Sequence, residues 1–288
     1  MKTFIVAFLM GMGMLCAIPK ANAKEFKEHV SKEFTVSSNT TRSFLFIYNI
    51  SGSIKVEGYS GTKVLLEIDK TISADDDKTL ETGKKEFKLG FDQKSDTVLA
   101  YIAAPYDSRP RRNWQHNEND RDIEYNYKVN FTVKVPSGTN LHIATVNDGI
   151  ITVDNVSGTL HINNVNEGIL VKNAKGTTFA HTVNGDVSVN YLSNPPEASS
   201  YHTINGNIRV SYQPGFSADL TFKSMHGDFF TDFTEAQMLP ASTTKVQDKK
   251  GREAIYKLNT ITTVRFGKGG KTFKFETLNG NVYIKKQS

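Results

Sequence analysis

A short turn recurs along the second half of this chain. It reads Asn-Asp-Gly at Asn147–Gly149, Asn-Glu-Gly at Asn166–Gly168, Asn-Gly-Asp at Asn184–Asp186, Asn-Gly-Asn at Asn205–Asn207, His-Gly-Asp at His226–Asp228 and Asn-Gly-Asn at Asn279–Asn281. An apolar residue precedes each one: Val146, Val165, Val183, Ile204, Met225 and Leu278. From Gly149 through Gly168, Gly185 and Gly206 to Gly227 the spacings are 19, 17, 21 and 21 residues. A second glycine turn falls between the early ones, at Val156-Ser157-Gly158 and Ala174-Lys175-Gly176. Between turns, Ile151–Val153, Leu160–Ile162, Ile169–Val171, Val187–Val189 and Ile208–Val210 place apolar residues two apart. That is the period of a strand with one buried face. An antiparallel meander would also turn about every 8 to 12 residues. Here, however, each turn resembles the next but one more than the next, so like stacks on like about one coil later. The pattern predicts an all-β, single-domain β-solenoid with a coil of about 20 residues. Strands about 4.8 Å apart would make five or six coils roughly 25–30 Å long. Gly149, Gly168, Gly185, Gly206, Gly227 and Gly280 are expected to be structural turn residues, chosen because glycine adopts positive φ freely.

After Gly227 the register breaks for 53 residues before Gly280. Phe229–Phe233 reads as a strand, and Thr234–Gly251 has loop composition. Thr262–Phe266 and Thr272–Phe275 alternate around Gly267–Gly270 and read as a C-terminal hairpin cap, after which Val282–Ile284 closes the stack. Lys285 and Lys286 would discourage end-to-end pairing at that last edge. The expected organisation is a signal peptide over 1–23 and a solenoid domain over 24–288. Within the latter, 24–135 holds N-terminal strands, a helix and a loop, 136–233 the regular coils, and 234–288 an insertion and terminal cap. Strands are expected at Phe34–Val36, Phe44–Tyr48, Ile54–Val56 and Val64–Ile68, with a degenerate copy of the turn at Ile50–Ile54. Ser73–Glu86 is the plausible helix, with Ser73 as N-cap and Asp75, Asp76 and Asp77 in its first turn, where the helix dipole favours negative charge. A cation site is the alternative role for that acidic triplet.

These residues resemble a known family. Val135-Pro136-Ser137-Gly138, Leu141 with Thr145-Val146-Asn147, Val156-Ser157-Gly158, Thr182-Val183-Asn184-Gly185-Asp186, Phe222 with His226-Gly227-Asp228-Phe229, and Phe275-Glu276-Thr277-Leu278-Asn279-Gly280 are similar to the bacterial β-strand-repeat proteins labelled DUF4097 or "putative adhesin". The resemblance spans about Phe44 to Lys286. It departs from the usual Asn-Gly-Asp at Asn147–Gly149, Asn166–Gly168 and His226, which keeps the turn and changes its chemistry. It implies an exported β-solenoid.

The N-terminus carries an export signal. Lys2 supplies a positive start, Thr3 to Ile18 is almost wholly apolar, and Ala21-Asn22-Ala23 is a small-x-small cleavage site, so the mature chain begins near Lys24. That apolar run is short of a membrane span. Two rival readings are a lipid anchor through Cys16, which Leu15 directly before it disfavours, and an uncleaved anchor. Cys16 is the only cysteine and leaves with the signal, so no disulfide is expected. The whole chain has 35 basic and 30 acidic residues. Removing Lys2 and Lys20 leaves 33 against 30, about +3, which is too mild to call for nucleic acid. No integral membrane segment is expected after signal cleavage.

The least regular stretch is Asp107–Asp122. Arg109, Arg111, Arg112, Trp114 and His116 there are candidate ligand contacts: the guanidinium groups could hold a carboxylate or phosphate and the indole could stack on a sugar. The alternative is a structural loop. The Asn/Asp alternation from Asn117 to Asp122 lacks the glycine and terminal glutamate of a calcium loop. Gly267–Thr272 resembles a phosphate-binding loop, but its glycine spacing fails and a strand follows it. No Gly-x-Ser-x-Gly, His-Glu-x-x-His or Cys-x-x-Cys occurs. His142 and His161, and likewise His181 and His202, would stack about 5 Å apart. Imidazoles at that spacing can bind zinc or copper, or form an exposed polar ladder. The sequence therefore predicts no catalytic, cofactor or metal residues. It points to an exported, non-enzymatic adhesin or scaffold whose partner is a glycan or an envelope protein. A periplasmic accessory or sensor protein and a polysaccharide-acting β-helix enzyme are the rivals.

Overall fold

The structure, a computed structural model, describes residues 23–37, 42–110, 122–240, 243–247, 254–258 and 261–287. The expected signal peptide, but for Ala23, lies outside them. The N-terminal part forms β1 (Lys24–Thr35), β2 (Phe44–Tyr48), β3 (Ile54–Tyr59), β4 (Lys63–Ala74), α1 (Asp77–Glu86), β5 (Lys88–Lys94), β6 (Thr97–Ala104) and β7 (Asn126–Pro136). The repeat follows as β8 (Asn140–Ala144), β9 (Ile151–Asp154), β10 (Leu160–Asn163), β11 (Ile169–Ala174), β12 (Thr178–His181), β13 (Val187–Tyr191), β14 (Ser200–His202) and β15 (Ile208–Tyr212). The remainder comprises β16 (Ala218–Lys223), β17 (Phe229–Thr231), β18 (Gln237–Met238), β19 (Thr243–Gln247), β20 (Ala254–Leu258), β21 (Thr262–Phe266), β22 (Thr272–Glu276) and β23 (Val282–Lys286).

The chain is all-β apart from α1, and two large mixed sheets carry it. One runs β1-β4-β7-β3-β9-β11-β13-β15-β23-β17; the other runs β18-β21-β16-β22-β14-β12-β10-β8-β2-β6-β5. From β8 to β15 the chain passes alternately between them, and each strand pairs in parallel with the one two places on. A pair of strands joined across the asparagine edge therefore makes one rung. These turns are corners between sheets rather than reversals within one sheet.

Parallel, in-register stacking lines up identical residue types. One inward row runs Ile54, Ile151, Ile169, Val187, Ile208, Val282, and a second runs Val56, Val153, Val171, Val189, Val210, Ile284. From the other sheet Ile47, Ile143, Ile162, Ala180, Tyr201, Phe275 and Phe222 face them. All of these residues are buried. Each aliphatic member taken out of water stabilises by about 1.5–3 kcal/mol, so the rows are the main cohesive element in a fold without disulfides. Towards the C-terminal end aromatic rings fill the interior. Three fully buried tyrosines there share hydroxyls: Tyr191 to Tyr201 at 2.8 Å and Tyr201 to Tyr212 at 3.3 Å.

The rung order in space is not the rung order in sequence. β22 pairs in parallel with both β14 and β16, and β23 with both β15 and β17. The last rung of the chain is thus inserted between two earlier ones and does not close the stack. The expected hairpin is also absent: β21 lies antiparallel to β16 on one side and β22 parallel to it on the other, so β16 separates them. At the opposite end β6 and β7 stack outside β2 and β3, and β4, β1 and β5 close that end with antiparallel pairing.

Several local expectations change. The first strand starts at Lys24, well before Phe34. Ser73 remains in β4, and Asp76 is the N-cap, its carboxylate accepting from the Thr79 amide at 3.0 Å. Strands β5, β6 and β7 were not expected, although Val98, Ala100 and Ile102, then Val129, Phe131, Val133 and Val135, alternate as strands should. Of the six repeat glycines only Gly280 has the positive φ anticipated (158°), and the others meet a different constraint. At Gly185 no positive φ is involved. A Cβ would lie 2.5 Å from the carbonyl carbon of Glu167, and at Gly206 one would lie 2.1 Å from the Gly185 oxygen. The rung beneath approaches so closely that a side chain has no room. Among non-glycine residues, positive φ falls on Asp148 (59°), Asn155 (56°) and Asn173 (52°) in the repeat and on Ser95 (52°) between β5 and β6.

Candidate functional site

The asparagine edge of the stack carries three parallel rows. The inner row is buried and ties each turn to the rung before it. Thr145 donates to the Gly52 carbonyl (2.9 Å), Thr182 to Glu167 (2.8 Å), Thr203 to Gly185 (2.8 Å) and Thr277 to Gly206 (3.1 Å). Asn164 takes the same place with a longer side chain and donates to Gly149 and Gly168. The second row is the apolar one: Val146, Val165, Val183 and Ile204 are half-buried, Leu278 is 39% and Met225 69% exposed.

The third row is an amide ladder. Asn166 Nδ2 donates to Asn147 Oδ1 (2.6 Å), Asn184 to Asn166 (3.0 Å), Asn205 to Asn184 (2.8 Å) and Asn279 to Asn205 (2.7 Å). His226 Nδ1 meets Asn279 Oδ1 at 3.1 Å and ends the row. The bonding order repeats the rung order, with Asn279 between Asn205 and His226. A primary amide has two N–H groups and two acceptor lone pairs. The ladder uses one of each, so every interior member keeps one donor and one acceptor towards solvent, and Asn166, Asn184, Asn205 and Asn279 are exposed. Strand spacing repeats this polar pair about every 4.8 Å.

At its N-terminal end the ladder meets a wall. β4 and β7 are 12 and 11 residues long, against four to six in most repeat strands. The Val129 amide donates to the Ser51 carbonyl, the last tie between β7 and the neighbouring turn. Beyond it β7 runs on with β4 alone, pairing Lys128 with Thr71 and Asn126 with Ser73. The corner between wall and turn is a groove of about 410 Å³ lined by Thr71, Ser73, Lys128, Ser51, Asn147 and Asp148 among others. No local sequence signal marks it, because it depends on two strand lengths and a register.

The residues singled out from sequence are elsewhere. Arg109 donates to the Asp107 carboxylate from Nε (3.0 Å) and Nη2 (2.6 Å) and lies over the Tyr101 ring at 4.1 Å, so its guanidinium is already engaged. Arg111, Arg112, Trp114 and His116 fall outside the described residues. Of the acidic triplet, Asp76 caps α1 and Asp77 pairs with Lys24. The Gly267–Thr272 segment links β21 to β22, with the Lys268 amide on Ser217 Oγ.

The histidines do stack as their spacing implied. The Phe46, His142, His161 and Phe179 rings lie face to face at 4.7, 4.3 and 4.6 Å, while His181 and His202 meet edge-on at 4.5 Å. Face-to-face neighbours cover the ring faces of the inner members, leaving edges for solvent. Burial lowers the pKa of His142, His161 and His181, and the neighbouring imidazole lowers His142 and His181 further. Among the described residues no group of three or more His, Cys, Asp or Glu is placed to hold a metal ion.

No family model and no curated protein matches this chain. Solved structures do. A "putative cell adhesion protein" from Clostridium sporogenes is 10% identical over 90% of this chain and 100% of its own, with a TM-score of 0.42. A "putative adhesin" from Bacteroides fragilis is 11% identical over 90% and 97%, with a TM-score of 0.33. A "putative lipid binding protein" from Parabacteroides distasonis is 10% identical over 90% and 97%, with a TM-score of 0.28. No helix among the described residues is long and apolar enough to cross a membrane.

Proposed function

We propose that this chain is an exported, non-catalytic β-solenoid of the cell envelope that holds a glycan along its asparagine edge. The exposed amide ladder carries the reading. A row of donor–acceptor pairs at one fixed spacing suits a polymer that repeats hydroxyl and carbonyl groups. Contacts that are weak singly add up when they are borne on one rigid body. The interior rows support the required stiffness, since each turn is tied to the last through a buried hydroxyl or amide.

Two observations weigh against a hydrolase. A glycosidase needs an acid held protonated beside a second carboxylate. The carboxylates that shift here shift downwards: Glu67 through bonds from Ser31 and His29, Asp76 through Thr79, Asp219 through Arg265. None of the three lies beside the ladder. The rival reading, an accessory protein with a protein partner, draws on the apolar row and the exposed Met225.

The test is binding of the purified mature chain to an array of bacterial and host polysaccharides, alongside an Asn184→Ala/Asn205→Ala variant. Binding to a polysaccharide that the variant loses, while it still folds with a Tm lowered by only a few degrees, is the expected result. An empty array, with cross-linking that captures one envelope protein, would replace this reading with the accessory one. Protease shaving of intact cells then separates surface from periplasm.

A further inference from the structure

We infer that the groove where the amide ladder meets the β4–β7 wall is a subsite for an acetamido sugar. The inference rests on the glycan reading of the ladder and adds a place and a chemistry to it.

Three features converge there. The first is the direction of the ladder. Each Nδ2 donates towards the N-terminal end, so Asn147 accepts from Asn166 and its own Nδ2 has no protein partner among the described residues. Aligned amides polarise one another, which strengthens the donor at the end of the row. The second is the acceptor beside it. Asp148 is held at φ 59° and takes the Ser51 hydroxyl on Oδ2 at 2.9 Å, leaving Oδ1 for a ligand. A donor amide next to a carboxylate matches the carbonyl and N–H of an acetamido group, one bond each way. The third is the wall. Thr71, Ser73, Asn126 and Lys128 line the groove, offering hydroxyl, amide and ammonium groups to the remaining ring oxygens. Lys128 forms no ion pair among the described residues, so its ammonium is available.

Geometry also makes this place a terminus. A chain lying along the ladder passes rung after rung at one level, then meets a wall three residues deep that blocks further travel in line. The groove therefore takes the end of a saccharide while the ladder takes its length. That division predicts different dependence on ligand length. A short oligosaccharide should need the groove, and a polymer should need the ladder.

The experiment uses the mature chain and two probes of equal length, chitotetraose, which carries acetamido groups, and maltotetraose, which does not, with titration by calorimetry. Chitotetraose is expected to bind at least tenfold more tightly than maltotetraose. Asn147→Ala and Lys128→Ala should each weaken it by about tenfold, and Lys268→Ala, exposed on the β21–β22 link away from both groove and ladder, should leave it within about twofold. Lys128 and Thr71 lie on the open face of the wall, so Lys128→Ala and Thr71→Val keep the test valid should Asn147→Ala fail to fold. Equal binding of the two probes, or no binding of chitotetraose, would overturn the subsite. Loss of polysaccharide binding in the Asn184→Ala/Asn205→Ala variant, with the groove variants unaffected, would retain the ladder reading and remove this one.

Discussion

The rungs β8/β9 to β14/β15 and the rung β22/β23 are built from the same parts but reach their places differently. In the first set, neighbours in space are neighbours in sequence, about 20 residues apart. The β22/β23 rung comes back from beyond β16, β17 and β21 and enters between β14/β15 and β16/β17. Yet Thr277, Asn279 and Gly280 make the same contacts in it that Thr203, Asn205 and Gly206 make one rung below. Placement is therefore set by the chemistry a rung presents to its two faces, with chain order secondary. Seeing that rung as a true member of the stack leads to four expectations, the largest first.

If β22/β23 is an integral layer, emptying its interior should cost as much as emptying a central one. Phe275 is fully buried between Tyr201 (4.9 Å) and Phe222 (5.1 Å), and Ile162 occupies the same inward row in mid-stack. Phe275→Ala is expected to lose about 3–5 kcal/mol and Ile162→Ala about 2–5 kcal/mol. Urea unfolding measures both. A loss below about 1 kcal/mol for Phe275→Ala alone would make β22/β23 a loosely applied flap.

Next come the glycines. A Cβ on Gly206 would strike the Gly185 carbonyl oxygen, and one on Gly280 would strike that of Gly206 at 1.9 Å. Backbone cannot yield as a side chain does, so Gly206→Val and Gly280→Val should each cost about 3 kcal/mol. Gly168 is the control. The nearest atom there, the Asp186 oxygen, would be 3.0 Å away, and Gly168→Ala should cost under about 1 kcal/mol. Equal effects at Gly206 and Gly168 would mean the rungs do not approach as closely as described.

These cases show what could be read in advance. The repeat strands, the turn at Asn279 and the need for glycine are local properties, written in period and residue type. The reason for the glycine was not local: Gly185 looks the same whether φ or the rung beneath excludes a side chain. The hairpin failed for a related reason. Thr262–Phe266 and Thr272–Phe275 alternate around glycines as hairpins do. Nothing within them tells that Ala218–Lys223, some forty residues earlier, would present Leu220 and Phe222 in register with Phe273 and Phe275. The groove was illegible because it arises where β4 and β7 outrun a neighbouring turn. The histidine stacking, by contrast, followed from spacing alone.

The ladder gives the third expectation. Asn205→Ala removes the links to Asn184 and to Asn279 of the inserted rung, and Asn279→Ala removes those to Asn205 and His226. Each takes away two exposed side-chain hydrogen bonds, for a loss of about 1 kcal/mol apiece. Near-equal losses by thermal unfolding would show the ladder running unbroken across the insertion. A silent Asn279→Ala would confine it to the sequential rungs.

The smallest effect separates the two regions by acidity. The histidines with lowered pKa, His142, His161 and His181, all sit on the sequential rungs. Burial favours their neutral form, so the unfolded chain takes up protons near the ordinary value of 6.5 while the folded chain does so only at lower pH. The stability they contribute is complete above about 6.5 and is lost as pH falls from there through their folded values. His29 acts in the opposite sense, its pKa raised by bonds to Asp69 and then Glu67, but it is exposed on β1 and its contribution is screened. Around the inserted rung, His202 faces Glu276 across the strand pair, and Tyr201, Phe275 and Phe222 fill the interior without a group that titrates in this range. Lowering pH from 7 to 5 should therefore reduce Tm by only a few degrees. Hydrogen exchange at pH 5 should open the amides of β10 and β12 before those of β22 and β23. His161→Phe extends the ring stack between His142 and Phe179 without a titrating group, and is expected to flatten that pH dependence. Were the slope unchanged in His161→Phe, the stacked imidazoles would not be the acid-sensitive element of the central rungs.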